Sequence, residues 1–490
     1  METVDLILAF VKKWYIIPVV FMYIGVIVTI LIENRNPTKT ISWILVIFFL
    51  PVIGLILYYF FGQTTKKLKK IRKAQKDQYE RISKELKKYE KRIDSQILKI
   101  QNEIDGLSQV FQYLRNERIS VPTLYNDVKL LINGEEKFKY LLESLKGAKH
   151  SIHLEYYIFE LDNIGTKILN ILEEKYQEGV EVRLIIDSFG SPKLIRYLSK
   201  NKERFHFEWQ AFLPVTFASL ADSNYRDHRK IAIIDGDIGY VGGINISDRY
   251  INREENNLYW RDTSVRIEGD AVGLLQINFW DIWNQTDGAP FSLREDKIKE
   301  LYKVKTKKYT AVSFALCDPA SPAPYSMESI LISLGQAKEK IQLITPYYIP
   351  NEELETALMS IAATGVQVEL IIPKRGDSNI VRHASFSFLK PLLKRGVKVY
   401  LYNKGVIHAK TINVDNKLSF VGTVNLDIRS FYINYEIMAV ISDEQFCMQM
   451  DRQFETDKQN SDLLTLEGYY SRKKWKRGID SLCRLLAPLL

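Results

Sequence analysis

The sequence predicts an α/β protein: two duplicated α/β halves packed about a pseudo-twofold axis, preceded by an N-terminal two-helix transmembrane hairpin. Three observations predict it. Two apolar runs near the N-terminus carry no charged residue. Two later segments, Gly179–Asp187 (GVEVRLIID) and Gly365–Pro373 (GVQVELIIP), read alike as buried strands. Each belongs to a unit ordered strand, helix, strand, hairpin, and each is followed by a His-x-Lys sequence, which marks an internal repeat.

The hairpin comes first, in residues 1–63. Trp14–Ile32 and Ile41–Phe61 are charge-free over 19 and 21 residues. A bilayer core about 30 Å thick takes about 20 apolar helical residues, so spans are predicted at 14–32 and 41–61. The start, METVDL, is acidic and unlike a signal peptide. Lys12–Lys13 precede the first run and Lys66–Lys73 follow the second. Positive flanks stay in the cytoplasm, so the rest of the chain is expected there too. Pro51 and Gly54 lie inside the second run, where they either kink it or loosen its packing.

Residues 64–118 read as a charged helical linker. Ile82, Leu86, Tyr89, Ile93, Ile97, Ile100, Ile104 and Leu107 recur at steps of three and four, the stripe of an amphipathic or coiled-coil arm. The first half is expected at 119–295 and the second at 296–460, divided by the Lys- and Glu-rich stretch Arg294–Lys308. Residues 461–490 form a basic amphipathic end. Its RKKWKRGIDSLCRLLAPLL (Arg472–Leu490) reads either as an interfacial segment on anionic lipid or as a plain helix packed on the domain.

Charge and composition narrow the function. The 490 residues are 46% hydrophobic and 26% charged, which is globular rather than disordered. Lys and Arg number 68 against 59 Asp and Glu, a net +9. Eleven of the positive charges fall in Lys66–Lys73 and Arg472–Arg477, and the rest of the chain carries −2. A nucleic-acid binder spreads its basicity over the binding domain, so the pattern points to a membrane surface instead. Three scattered cysteines, Cys317, Cys447 and Cys483, exclude a disulfide scaffold and a cysteine-type zinc site.

The chemistry sits in a motif that occurs twice. His228-Arg-Lys230-Ile-Ala-Ile-Ile-Asp235 is followed by Gly242 and Asn245, and His408-Ala-Lys410-Thr-Ile-Asn-Val-Asp415 by Gly422 and Asn425. Two copies of H-x-K-x4-D-x6-G-x-x-N with identical spacing are not chance. His228, Lys230, Asp235, His408, Lys410 and Asp415 are therefore the predicted catalytic set. On a strand, His and Lys two apart share a face and make a site for an anion. Asp235 and Asp415 lie at an odd offset and open turns, so they are assigned mainly to positioning. Asn245 and Asn425 can donate amide N–H to the same anion. Two halves packed about a twofold axis would bring both sets to one cleft. There, two histidines around one phosphate serve as nucleophile and general acid, with lysines neutralising the phosphoryl oxygens. No metal or other cofactor is expected.

These residues resemble the phospholipase D superfamily, whose H-x-K-x4-D motif occurs twice per active site. Asn36–Gly62, Tyr225–Tyr250, Trp260–Gly269 and Phe420–Glu436 (FVGTVNLDIRSFYINYE) further resemble bacterial cardiolipin synthases. The resemblance implies phospholipase D-type halves with the site between them. It implies a membrane enzyme that transfers the phosphatidyl group of one phosphatidylglycerol to another through a phosphatidyl-histidine. It implies His228 as nucleophile and His408 as acid/base, although the two motifs themselves are symmetric. It also implies that Asp262 and Glu436 orient the imidazoles, the alternative being surface carboxylates at strand edges. The expected partners are anionic phospholipid, phosphatidylglycerol and cardiolipin, at the bacterial inner membrane, with no nucleic acid. The runner-up is a hydrolase of the same superfamily that uses water as acceptor.

Overall fold

The structure is a computed structural model, and it describes residues 16–32, 37–58, 90–213, 224–253, 258–286, 288 and 306–487. The segments Lys12–Lys13 and Lys66–Lys73, the stripe residues Ile82, Leu86 and Tyr89, and most of Arg294–Lys308 lie outside the described residues.

Residues 16–58 form a small helical unit of their own. Helices Ile16–Ile32, Pro37–Phe49 and Pro51–Leu57 close around Ile30, Ile47 and Tyr58, with Trp43 edge-on to Tyr58 at 5.5 Å. The predicted second span is not one helix. It breaks at Leu50, whose φ of −127° and ψ of 70° are non-helical. The Pro51 ring clashes with a helical conformation at the preceding residue, so the helix ends there and restarts with proline in its first turn. Gly54 lets the restarted helix close on the first, because a Cβ there would lie 2.6 Å from the Val46 carbonyl oxygen. Proline and glycine together thus kink the run. Among the described residues, no helix is long and apolar enough to cross a membrane.

The main body begins at the described residue Glu90. Its strands are β1 (Asn126–Ile132), β2 (Ser151–Tyr156), β3 (Glu181–Asp187), β4 (Glu208–Phe212), β5 (Lys230–Ile234), β6 (Ile238–Gly242), β7 (Tyr259–Arg261), β8 (Thr263–Gly269) and β9 (Ala311–Cys317). The second half continues with β10 (Lys340–Ile344), β11 (Tyr348–Ile349), β12 (Gln367–Pro373), β13 (Lys398–Tyr402), β14 (Gly405–Ile407), β15 (Thr411–Val414), β16 (Leu418–Gly422), β17 (Leu426–Asp427), β18 (Glu436–Ser442) and β19 (Ser461–Leu464).

One sheet has the order β1-β8-β6-β5-β2-β3-β4; the other is β9-β18-β16-β15-β10-β12-β13-β19. The first seven positions correspond one to one, and β19 is an added edge strand. In each sheet three neighbours run parallel, β2-β3-β4 and β10-β12-β13, and the remainder pair antiparallel. The two strands recognised as a repeat, GVEVRLIID and GVQVELIIP, are β3 and β12.

A shared core fills the space between the sheets. It takes Ile231, Val241 and Val265 from one sheet, Val421, Ile437 and Ile441 from the other, and the helix Ala271–Trp283. Outer helices cover the remaining faces. The linker differs from a free arm. In the helix Glu90–Ile104, Ile93, Ile97, Ile100 and Ile104 are buried, and Ile100, Ile104 and Leu107 join the core of the second half. The described part of the stripe lies on one helix face, and that face is covered by the domain rather than by a coiled-coil partner.

Candidate active site

Register places both motifs at the carboxyl ends of the central parallel strands. Tyr156, which ends β2, pairs with Lys230, and Ile344, which ends β10, pairs with Thr411. Ligands bind in open α/β sheets at such ends. His228 and His408 sit just before β5 and β15 rather than on them. Strand alternation is therefore not what aligns them with their lysines. Main-chain contacts to the other half are. The His228 N–H donates to the Tyr435 carbonyl at 2.9 Å, and the His408 N–H to the Arg261 carbonyl at 2.7 Å. β14 runs parallel to β7, with Ile407 opposite Arg261, and Asp227 forms a parallel bridge with Tyr435.

The residue after each of those carbonyls grips the ring. His228 Nδ1 lies 3.1 Å from Glu436 Oε1, and His408 Nδ1 lies 2.8 Å from Asp262 Oδ2. The pairing is crossed: the histidine of each half is held by the carboxylate of the other. Asp262 and Glu436 are fully buried, not surface carboxylates. Lys230 Nζ donates to the His228 carbonyl. Lys410 Nζ donates to the His408 carbonyl and lies 2.8 and 3.2 Å from its two ring nitrogens.

Burial dominates the electrostatics. It lowers His228 to about 4, with Glu436 opposing and Lys230 adding to the shift. Burial and the Lys410 charge also lower His408, with Asp262 opposing. Lys230 is lowered to about 7 and Lys410 to about 8, again by burial. Burial would raise the two carboxylates, but Lys410 and His408 hold Asp262 below its usual value, and His228 and Lys230 do the same for Glu436. The centre thus holds neutral imidazoles beside ionised carboxylates and lysines that burial makes easier to deprotonate. An anion entering it meets cations that water does not screen.

Asp235 and Asp415 are not at this centre. Each opens a hairpin turn with consecutive positive φ, 55° and 65° at Asp235-Gly236 and 51° and 52° at Asp415-Asn416. Such turns match strand twist and favour Asp, Asn and Gly. Asp235 accepts the N–H groups of Lys149, His150 and Ser151 at 2.7–3.1 Å. Asp415 accepts those of Lys338, Glu339 and Lys340 at 2.7–2.9 Å. Both tie the hairpin to the start of the neighbouring central strand. Neither carboxylate is hydrogen-bonded to the histidines or lysines of the centre among the described residues.

The two asparagines have different surroundings. Asn245 donates to the Tyr250 hydroxyl at 2.8 Å and accepts the Ile158 N–H at 3.1 Å, so its amide braces the site wall. Asn425 is buried, and among the described residues its Oδ1 has no partner.

Several residues escaped the sequence reading. Arg229 Nε donates to the Glu436 carbonyl at 3.3 Å, and Arg261 Nη1 to the Asp262 carbonyl at 2.5 Å. Arg261 is itself held by buried Asp457 at 2.9 Å. Each arginine steadies the main chain of an orienting carboxylate. The sequence holds one cue: an arginine beside a buried apolar strand, as Arg229 is beside β5, needs a partner. Aromatic rings wall the imidazoles, with Tyr157 at 4.7 Å from His228, and Trp260 at 5.7 Å and Tyr347 at 6.4 Å from His408. Among the described residues, no group of three or more His, Cys, Asp or Glu is placed to hold a metal ion.

A family model described as cardiolipin synthase, PLD-like domain, matches residues 141–283 and 330–458, one segment in each half. A second, phospholipase D-nuclease N-terminal, matches residues 21–63. The chain is 34% identical over 480 residues to a cardiolipin synthase of Halalkalibacterium halodurans, covering 97% of this chain and 93% of that one. It is 36% identical over 473 residues to cardiolipin synthase 1 of Staphylococcus epidermidis, covering 94% and 93%. The crystal structure of phosphatidylserine synthase from Haemophilus influenzae superposes with a TM-score of 0.60 at 16% identity, over 79% of this chain and all of that one, a likeness of fold. With two matched halves that share one crossed histidine centre, and relatives aligned over nearly its whole length, the chain belongs to the cardiolipin synthase family of phospholipase D-like proteins.

Proposed function

We propose that the chain joins two phosphatidylglycerol molecules into cardiolipin and glycerol, with a histidine carrying the phosphatidyl group between them. The observation that carries this reading is the crossed centre: two imidazoles, each held at Nδ1 by a buried carboxylate, with a lysine beside each. A fixed Nδ1 leaves Nε2 as the reactive nitrogen.

In the first step His228 Nε2 attacks phosphorus and the bond to the glycerol oxygen breaks. Protonated His408 gives its proton to that oxygen, and glycerol leaves. Glu436 stabilises the positive charge on the phosphorylated ring. In the second step neutral His408 takes the proton from the terminal hydroxyl of another phosphatidylglycerol. The freed oxygen attacks phosphorus, the P–N bond breaks, and cardiolipin leaves with His228 neutral again. Lys230 and Lys410 balance the phosphoryl oxygens as charge develops. A histidine neutral down to about pH 4 suits the nucleophile. The bound phosphodiester anion offsets the lysines' field and raises His408 toward the protonated form that the first step needs. Asp262 and Glu436 orient, and Asp235 and Asp415 position.

The apolar unit of residues 16–58 fits a membrane anchor, and we place it in the bacterial cell membrane as a hairpin with the catalytic halves on the cytoplasmic side. Support comes from Phe21, Phe48 and Phe49, each 70% or more exposed, and from the basic flanks. A reporter fused at Leu490 should then behave as cytoplasmic and one inserted near Asn36 as external; the reverse overturns the orientation.

Labelled phosphatidylglycerol tests the reaction. Cardiolipin plus glycerol is the expected outcome. Phosphatidic acid in place of cardiolipin would mean that water is the acceptor and the enzyme a hydrolase.

A further inference from the structure

The C-terminal helix Lys474–Arg484 does two things at once. It packs on the helix Asn379–Lys394 through buried Asp480, which takes His383 Nδ1 at 2.6 Å and Arg472 Nη1 at 2.7 Å. It also leaves Trp475 59%, Leu482 66% and Leu485 75% exposed. Between the two helices lies a cavity of about 290 Å³ lined by Arg382, His383, Phe386, Arg472, Trp475 and Lys476. None of the site residues named above lines it.

The charge in this cavity is not balanced locally. Asp480 answers Arg472 and His383. Among the described residues, Arg382 and Lys476 form no ion pair. Two cations therefore face a cavity whose rim carries an indole and whose neighbouring helix surface is apolar. Trp at the interface, Leu below it and Lys or Arg beside it is the layering of a surface seated at the boundary between headgroups and acyl chains. Arg382 and Phe386 also line a narrow cleft with Tyr347, whose ring lies against His408. The cavity is thus on the His408 side of the centre.

We infer that this cavity binds the headgroup phosphate of an anionic glycerophospholipid in the bilayer surface, through Arg382 and Lys476, while Trp475, Leu482 and Leu485 enter the acyl boundary. The site is separate from the two-histidine centre, and it does not rest on the reaction proposed for that centre. It gives the second half its own hold on the membrane.

The test uses the full chain reconstituted in vesicles and the fluorescence of Trp475, isolated by subtracting the signal of a Trp475→Phe variant. One set of vesicles holds a minority of bromine-labelled phosphatidylserine in unlabelled phosphatidylcholine. The other holds the same proportion of bromine-labelled phosphatidylcholine in unlabelled phosphatidylserine. Each basic residue near an anionic surface contributes about 1 kcal/mol, so labelled phosphatidylserine should be enriched at Trp475 by about fivefold per cation. Charge reversal in Arg382→Glu/Lys476→Glu should abolish the enrichment, and the charge-conserving Arg382→Lys/Lys476→Arg should keep most of it. If the double reversal fails to fold, Lys476→Glu alone should still cut the enrichment several-fold. Equal quenching by the two labelled lipids, no quenching of Trp475, or enrichment that survives charge reversal overturns the proposal. Enrichment removed by excess inorganic phosphate overturns the lipid assignment and makes a free phosphate anion the ligand. Cardiolipin formation is measured separately, so failure here and failure of the proposed reaction are distinguishable.

Discussion

The crossed carboxylates should give the two histidines different pH signatures when each is neutralised. Consider Asp262→Asn and Glu436→Gln, which preserve size and remove one buried charge each. Charges about 4 Å apart at an effective dielectric of about 20 interact by about 4 kcal/mol, an upper value for either pair. Part of that is compensated when the lysine beside the ring also relaxes. A loss of about 2.7–4 kcal/mol in transition-state stabilisation is about 10²–10³ in rate. The sign of the pH effect follows from the direction of each shift. Both carboxylates raise the pKa of their imidazole, so removing either lowers it further. If His408 is the acid, Asp262→Asn makes its protonated form scarcer as pH rises, and the deficit should deepen toward alkaline pH. If His228 is the nucleophile, it is already neutral above about pH 4, so the Glu436→Gln deficit should be constant across the neutral range. The assay is kcat against pH, read as cardiolipin formed from saturating phosphatidylglycerol. Exchanged signatures would reverse the roles of the two histidines. Losses below threefold in both variants would refute the view that these carboxylates serve the rings at all.

Three further outcomes are expected. Gly243→Ala places a Cβ 2.2 Å from Asp262 Oδ1 and should push that carboxylate off His408, lowering kcat by about 10²-fold with the alkaline signature of Asp262→Asn, as the same pH series will show. Asp415→Ala strands three main-chain N–H groups and should destabilise the second half by about 1–3 kcal/mol, seen as a lower midpoint in denaturant, while the pH profile of the folded fraction keeps its shape. With a phosphatidyl substrate whose leaving group needs no proton, acid-labile label should accumulate on His408→Ala and be absent from His228→Ala; label that follows His408 instead would swap the assignments.

Local pattern made much of the fold legible. Continuous apolar runs bounded by glycine marked β3 and β12, and Asp-Gly and Asp-Asn marked the tight hairpins after β5 and β15, because only small or polar residues tolerate consecutive positive φ. The duplicated His-Lys spacing marked the chemistry for the same reason: main-chain geometry ties those side chains to one place in the fold. What stayed hidden depends on contacts between distant segments. Nothing in either motif says that His228 takes Glu436 and His408 takes Asp262, since a sequence with two equal halves supports pairing within a half equally well. Arg229 and Arg261 look like ordinary cations until the far carbonyls that they reach are in view. That one amide N–H of Asn245 goes to Tyr250, five residues on, is not visible in the motif either. At the N-terminus, composition described a second charge-free run with Pro51 and Gly54 inside it and left a kink or looser packing open; the steric clash at Leu50-Pro51 divides it. The described part of the linker's stripe lies on one helix face, but periodicity does not say which surface will cover it.

The crossing of the two ion pairs also bears on a chain that is still being made. Synthesis delivers His228 and Asp262 early and His408 and Glu436 late. Until the second sheet docks, His228 has no carboxylate and Asp262 has no ring to hold. An unfinished chain therefore carries a histidine that nothing aims. The capacity to transfer a phosphatidyl group thus arrives in one step, once the strand that carries Glu436 docks.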